Sequence, residues 1–389
     1  MSDEGIETKL VHAGEPRPRI AGAVAMPVFQ TSTYEYGGGA QGGVAYDDLR
    51  YLRLNNSPNH VALHEKLAAL EGTEAALVTS SGMAAVFTAL ASHLRPGDHV
   101  IAQRCLYGGT HDLLVGHFGE LGIEHTFVAG DDPSQWAAAR RPTTRLFYCE
   151  AMTNPLLDVA DHAGIVAFCR DHGLTSVIDA TFASPVVFRP AADGFGFDVV
   201  LHSATKYLNG HSDIVAGVIA GSNADIERAR KLLNLVGATL DAHACFLLHR
   251  GLKTLAVRVR QQCANALAVA EYLHGHEAVA RVNYPGLASH PGHARARASF
   301  EGFGGMLSFE LHGGAAAAQR LLDRLQIATN APSLGGPETL VTRPTQTSHA
   351  GLTPDERAAI GIGDGLVRMS VGLETVSDLI ADLGQALAD

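Results

Sequence analysis

The sequence predicts an α/β fold in which a large, mostly parallel sheet covered by helices is followed by a smaller α+β region. Three observations lead there. From about residue 61, short apolar runs rich in β-branched residues alternate with helical stretches. Those runs are continuously apolar, the pattern of strands buried on both faces of a parallel sheet. After about residue 255 the order changes to a long helix, a loop, and then mixed strands and helices. A chain of 389 residues is also too long for one small core.

Residues 1–60 are rich in Gly, Pro and polar residues, with GGGAQGG at 37–43, and predict an extended arm with little core of its own. VALHEKLAALEG (61–72) has helical spacing and a glycine stop. AALVTS reads as a strand that runs at once into the helix SGMAAVFTALASHL. HVIAQ, RLFYCE, TSVIDA, DVVLHSA and VAGVIAG follow as buried strands, with AGIVAFCRDHG among the helices between them. Beyond residue 255 come the helix RVRQQCANALAVAEYLHG, the loop NYPGLASHPGH, the strand GMLSFEL, the helix AAAAQRLLDRL, the strand LVRMSVGLE and a last helix, TVSDLIADLGQALA. The expected division is an arm (1–60), a large domain (61–255) and a C-terminal domain (256–389).

Composition excludes several classes of function. A net charge of -11 disfavours a nucleic-acid binder, which needs a basic face. Five scattered cysteines, none in CxxC spacing, disfavour a zinc site and a disulfide framework. MSDEGIETKLVHAGEP lacks the apolar core of a signal peptide, and no run approaches the roughly 18 apolar residues of a membrane span. A cytoplasmic protein without a membrane partner is the expectation.

Four segments carry candidate chemistry. In HSATKYLNGHSDIVAGVIAG (202–221), Lys206 follows a strand, is flanked by Ser203 and Thr205, and lies in the most apolar, glycine-rich surroundings of the chain's five lysines. Burial lowers an amine's pKa, and a neutral amine attacks an aldehyde. Taken alone, the same lysine also suits a loop surface. TSSGMAA (79–85) is a strand, a turn and a helix start, where Ser81, Gly82 and Met83 can present backbone N–H groups to a phosphate. It lacks GxGxxG, which disfavours a dinucleotide fold. Asp179 ends the apolar strand of TSVIDATFASP, where α/β enzymes place their sites; it can face a protonated ring nitrogen or cap the next helix. Arg368 lies inside LVRMSVGLE, where its planar fork suits a substrate carboxylate or a structural ion pair. His60 with His64 has the spacing of a metal pair but no third ligand, and His290 with His293 lies in a loop. Solvated or capped positions are expected for these, with no metal, and no partner pattern makes Cys105 a nucleophile.

Together these residues resemble the Cys/Met-metabolism (trans-sulfuration) family of pyridoxal 5′-phosphate (PLP) enzymes, which includes cystathionine γ-lyases, γ-synthases and β-lyases, methionine γ-lyases and homoserine sulfhydrylases. The resemblance runs in order through VHAGEP, VFQTST, SSGMAA, LYGGT, EAMTNP, IDATFASP, SATKYLNGHSDIVAG, RGLKTL, YPGL, SLGG and VRMSVGLE. It implies PLP fold type I, like aspartate aminotransferase, with a homotetramer of active dimers. It also implies that Lys206 carries the cofactor's Schiff base and moves protons, Asp179 pairs with the pyridine nitrogen, and Tyr107 stacks on the ring. Asn154 would sit near the ring's phenolic oxygen, and Ser81, Gly82, Met83, Ser203 and Thr205 would hold the phosphate. Arg368 would take the substrate carboxylate, with Ser333 close by, and Tyr51 and Arg53 of YLRLNNSP would complete the phosphate site of a neighbouring subunit.

Departures from the family pattern bear on substrate. Ser57 intervenes between Asn56 and Pro58, Gly109 stands where methionine γ-lyases often have cysteine, and Ala180 replaces a usual asparagine. Pro332 stands where cystathionine enzymes often have a glutamate, which removes a carboxylate for a distal amino group. The implied reaction is γ-elimination from a sulfur amino acid such as cystathionine, methionine or homocysteine, giving a 2-oxo acid and ammonia. Replacement on an O-acylhomoserine, β-elimination and a non-catalytic relative stay open as alternatives.

Overall fold

The computed structural model describes residues 4–35, 49–192 and 194–388. The glycine run expected at 37–43 lies outside them. The chain divides into two compact units, Met1–Leu94 with Arg189–Ala256, and Arg95–Phe188 with Val257–Asp389. There are seven strands here, all but β3 corresponding to the apolar runs: β1 Ala75–Thr79, β2 His99–Gln103, β3 Glu124–Val128, β4 Thr144–Glu150, β5 Thr175–Asp179, β6 Val199–His202 and β7 Gly217–Gly221.

In the first unit β7 lies between β1 and β6 and is antiparallel to both. In the second, β3, β2, β4 and β5 are neighbours in that order and all parallel. Strand β3, EHTFV, is absent from the apolar runs of the sequence because all but its last residue are partly or fully exposed. The parallel arrangement brings Gln103, Glu150 and Asp179, the last residues of three neighbouring strands, to one edge, where α/β folds build their sites.

Caps define the helices of the first unit. The helix Pro58–Glu71 begins at Ser57, whose side chain accepts the N–H of His60, and Pro58 fills the first turn, where a missing N–H costs nothing. Gly72 closes it in the left-handed region, with φ 72°. Ser57, the odd residue of the sequence pattern, is therefore a helix cap. The helix Gly82–His93 follows β1 after two residues, with the Ser81 hydroxyl accepting the N–H of Ala84 at 3.0 Å.

The second unit also holds a five-stranded sheet of β8 Val279–Asn283, β9 Met306–Leu311, β10 Thr329–Asn330, β11 Leu340–Thr342 and β12 Leu366–Ser370, in the order β10-β11-β12-β9-β8. Leu307, Phe309, Val367 and Met369 pack with Val269 and Leu273 of the long helix Leu255–His274 and with Leu383 of the last helix. Each such side chain contributes about 1.5–3 kcal/mol on burial. Successive side chains on a strand point to opposite faces. Val367 and Met369 therefore leave Leu366, Arg368 and Ser370 on the other face, and Leu366 there joins Leu156 and Ile362. No described helix is long and apolar enough to cross a membrane, and no disulfide is present among the described residues.

Candidate active site

In the first unit, β6 ends at His202 and the chain turns through Ser203–Gly210. Ser203 O accepts the N–H of Lys206 at 3.1 Å and Lys206 O accepts that of Gly210 at 2.7 Å. Behind the turn, the His202 imidazole and Glu71 carboxylate are 2.6 Å apart and almost fully buried. Gly82 packs so closely on this turn that a Cβ there would lie 2.7 Å from both Cβ and Oγ of Ser203. Only glycine fits. The Ala84 and Ala85 amides are taken by the side chain and carbonyl of Ser81, which leaves those of Gly82 and Met83 at the positive end of the helix, outside its ladder. Thr205 is engaged in part, since its hydroxyl donates to Ala216 O at 3.2 Å and accepts the Ala216 N–H at 3.0 Å.

Apolar sequence neighbours do not make Lys206 the most buried lysine. Lys206 is only half-buried, whereas Lys66 is wholly enclosed and its amine, pushed down to about 8 by burial, donates to Leu10 O at 2.8 Å. Glycine-rich neighbours signalled a tight turn rather than depth.

The second unit gathers Asp179, Tyr107, Asn154, Arg368 and Ser333. Asp179 Oδ1 accepts the N–H of Thr181 at 2.9 Å, a local turn rather than a helix cap. Arg368 is buried, donating through Nη1 to Asn154 Oδ1 at 3.0 Å and through Nη2 to Ser333 O at 3.3 Å. Both of these acceptors are neutral oxygens that orient the fork. The Tyr107 side chain is 47% exposed, while its backbone N–H donates to Glu150 Oε1 at 2.7 Å. Gly108 beside it lies against the Ser348 carbonyl, with no room for a Cβ.

Tyr51 and Arg53 lie on the surface of the first unit, the guanidinium over the Tyr51 ring and donating to Asn234 O at 2.6 Å. The weaker candidates resolve as structural. His60 is buried rather than solvated, bonded to Ser57 Oγ and Leu240 O, and His64 accepts the N–H of Val78. His290 accepts the N–H of Gly292, and His293 bonds Pro285 O. No group of three metal-ligating side chains occurs among the described residues. Burial, with Asp158 nearby, pushes the Cys105 thiol up to about 12, which makes it a poor nucleophile.

Residues 7–388 match the family described as Cys/Met metabolism PLP-dependent enzyme. The chain belongs to this family. It is 42% identical over 390 residues to L-methionine gamma-lyase of Pseudomonas putida, covering 98% of this chain and 97% of that protein. It is equally 42% identical over 388 residues to cystathionine gamma-synthase of Mycobacterium leprae, covering 98% and 97%. Among solved structures, cystathionine gamma-lyase from Lactobacillus plantarum complexed with L-serine superposes with a TM-score of 0.92 at 36% identity, covering 98% of each chain. The fold is that of the Cys/Met PLP-dependent enzymes, and the protein is a PLP-dependent enzyme of sulfur amino-acid metabolism.

The residues present fit this family's cofactor. In the first unit the Gly82–Ser203 approach, the two helix-end amides and the Ser203 hydroxyl would suit a phosphate and Lys206 would supply an amine; in the second, Asp179 would supply a carboxylate for a cationic ring nitrogen. Three side chains of the second unit were passed over in the sequence. Glu150, 5% exposed, accepts the N–H of Tyr107 through one oxygen and that of Asn154, at 3.3 Å, through the other. Burial pushes its carboxyl well above the usual range, Asp179 adds to this, and the two N–H bonds oppose it. Gln103 accepts the Glu150 N–H at 3.0 Å. His349 is buried, bonded to Ser348 Oγ, and pushed down to about 4 by burial, by Arg368 and by His111. The clue for Glu150 was available, because like Asp179 it is a carboxylate at the C-terminal end of an apolar strand.

Proposed function

We propose that the protein catalyses γ-elimination on a sulfur-containing L-amino acid with an uncharged distal end, methionine or homocysteine, with methionine the first choice. With methionine and water the products are 2-oxobutyrate, methanethiol and ammonia. The observation that carries this is the buried planar fork of Arg368, oriented by Asn154 Oδ1 and the Ser333 carbonyl in a geometry that suits an α-carboxylate, with Pro332 supplying no carboxylate for a second ammonium group. Identities of 40–43% to several L-methionine gamma-lyases support the same choice.

When bound, PLP supplies an electron sink for charge developing at the substrate's α-carbon. Lys206 holds the cofactor and moves the α-proton, Asp179 keeps the ring nitrogen charged, and Tyr107 assists proton transfer with its exposed phenol. Ser81, Gly82, Met83, Ser203 and Thr205 hold the phosphate, and Thr205 must give up its bond to Ala216 O to donate. Arg368, with Asn154 and Ser333, orients the substrate by its carboxylate. Tyr51 and Arg53, both exposed, serve a neighbouring subunit of a homotetramer. An arm of 1–60, a PLP domain of 61–255 and a C-terminal domain of 256–389 complete the organisation of this cytoplasmic enzyme.

Gly109, in place of a cysteine, and the equal identity to a cystathionine gamma-synthase favour γ-replacement on O-acylhomoserine as the second reading. Mass spectrometry of products from the PLP-loaded protein with L-methionine separates them. 2-Oxobutyrate with methanethiol is expected, while its absence together with thioether formation from O-acylhomoserine and cysteine overturns elimination in favour of replacement. Pyruvate from cystathionine marks a β-lyase. Lys206→Ala should abolish the yellow cofactor colour and lower turnover by about 10³-fold.

A further inference from the structure

Tyr107 and Asn154 stand on separate segments, one after β2, where Tyr107 caps the short helix Gly108–Asp112, and one after β4. One carboxyl group spans both. Glu150 Oε1 accepts the Tyr107 N–H at 2.7 Å and Oε2 the Asn154 N–H at 3.3 Å. Its own backbone is clamped between neighbours, since its N–H donates to Gln103 Oε1 at the end of β2 and the next N–H, of Ala151, donates to Asp179 O at 2.9 Å. In the β4–β5 pairing Glu150 lies directly opposite Asp179. From Asn154 the chain of contacts continues to Arg368.

We propose that Glu150 is the positioning residue of this site, its two carboxyl oxygens setting the Tyr107 phenol through one loop and the Asn154–Arg368 pair through the other. The proposal rests on the proposed amino-acid chemistry of these residues. Both oxygens must accept, and this is what distinguishes the role from filling space. Glutamine has the same shape but only one acceptor, because its NH2 group can only donate. In Glu150→Gln the amide oxygen keeps the shorter bond to Tyr107, and the NH2 faces the Asn154 N–H. The substrate-carboxylate side of the site then loosens while the phenol stays in place. Glu150→Ala releases both loops.

The test uses the PLP-loaded full chain and L-norleucine, a methionine isostere without a leaving group, whose α-proton exchange in D2O is followed by proton NMR. For Glu150→Gln the half-saturating norleucine concentration should rise about five- to tenfold, the worth of one hydrogen bond, with the maximal exchange rate within twofold. For Glu150→Ala the maximal rate should also fall about tenfold, and the visible circular dichroism of the bound cofactor should change as the phenol moves. Both are expressed per bound cofactor, so that a loss of folded protein alone moves neither. If Glu150→Gln leaves concentration, rate and dichroism within twofold of wild type, Glu150 is a buried spacer and the proposal is overturned, whether or not Glu150→Ala folds. Wild-type protein that exchanges no α-proton overturns the underlying amino-acid chemistry and this proposal with it; exchange with unaltered variants overturns this proposal alone.

Discussion

Two buried clusters of charge in this protein follow opposite rules. In the first unit Glu15, almost wholly buried, lies against two cations, Lys253 Nζ at 2.6 Å and Arg19 Nη1 at 2.5 Å, with the His249 imidazole Nε2 at 3.6 Å. Burial raises its pKa, but Lys253, His249 and Arg19 outweigh this and hold it below the usual carboxylate range. In the second unit Glu150 sits opposite Asp179, two acids side by side, and burial and the like charge push Glu150 the other way. The first arrangement is balanced and ties the N-terminal segment down. The second is stabilised mainly by backbone N–H bonds, an arrangement a fold keeps where a site needs it.

The largest expected effect is in the balanced cluster. Glu15→Ala leaves Lys253 and Arg19 facing each other across an emptied site and should cost about 3 kcal/mol, read as a shift in the urea midpoint. A cost below about 1 kcal/mol would place this cluster with exposed ion pairs and break the comparison. Lys66→Met, which keeps the volume but leaves Leu10 O without its donor, should cost about 1 kcal/mol. Its measurable companion is faster amide exchange in the helix Ile6–His12.

The pH dependence sharpens the contrast because the signs differ. Glu15 has a depressed folded pKa, so its contribution is present above the ordinary carboxylate range and disappears as pH falls through the folded value. His249, lowered from 6.5 to about 4 by burial first, acts in the same direction, since the unfolded chain takes up the proton first as pH falls from about 6.5 to about 4. Glu150 has a raised folded pKa. Its contribution is full below the ordinary value of 4.5 and is lost as pH rises through the folded one. Glu150→Gln should therefore flatten the alkaline side of the stability curve and leave the acid side unchanged, with a shift of less than about 1 kcal/mol at neutral pH. Steepening on the alkaline side would show that the like-charge account of Glu150 is wrong.

Much of this was legible in the order of residues. Continuous apolar runs marked the buried strands, and the Ser81-Gly82 turn after β1 marked a helix start with amides to spare. Lys206, Asp179 and Arg368 stood out in the sequence as candidates because each is announced by its immediate neighbours. Strand β3 was missed because an edge strand with exposed residues lacks the apolar signature, and the depth of Lys206 could not be read from its glycine-rich neighbours because glycine marks turn geometry, not burial. Ser57, puzzling as a departure from a pattern, is explained by the cap it provides. Glu150 was visible by the argument used for Asp179, but its significance lies in what its oxygens touch.

The sequence by itself determined the fold class and the family and singled out candidates for the chemistry, because hydrophobic periodicity, turn residues and short motifs act over a few positions along the chain. Only the tertiary structure decided that Arg368 bonds Asn154 across 214 positions, that one carboxyl holds two loops, and that His349 lies buried beside Arg368's charge. Those are matters of distance and of burial. Both depend on which face of a strand meets which neighbour once the apolar faces have packed, and no local pattern encodes that.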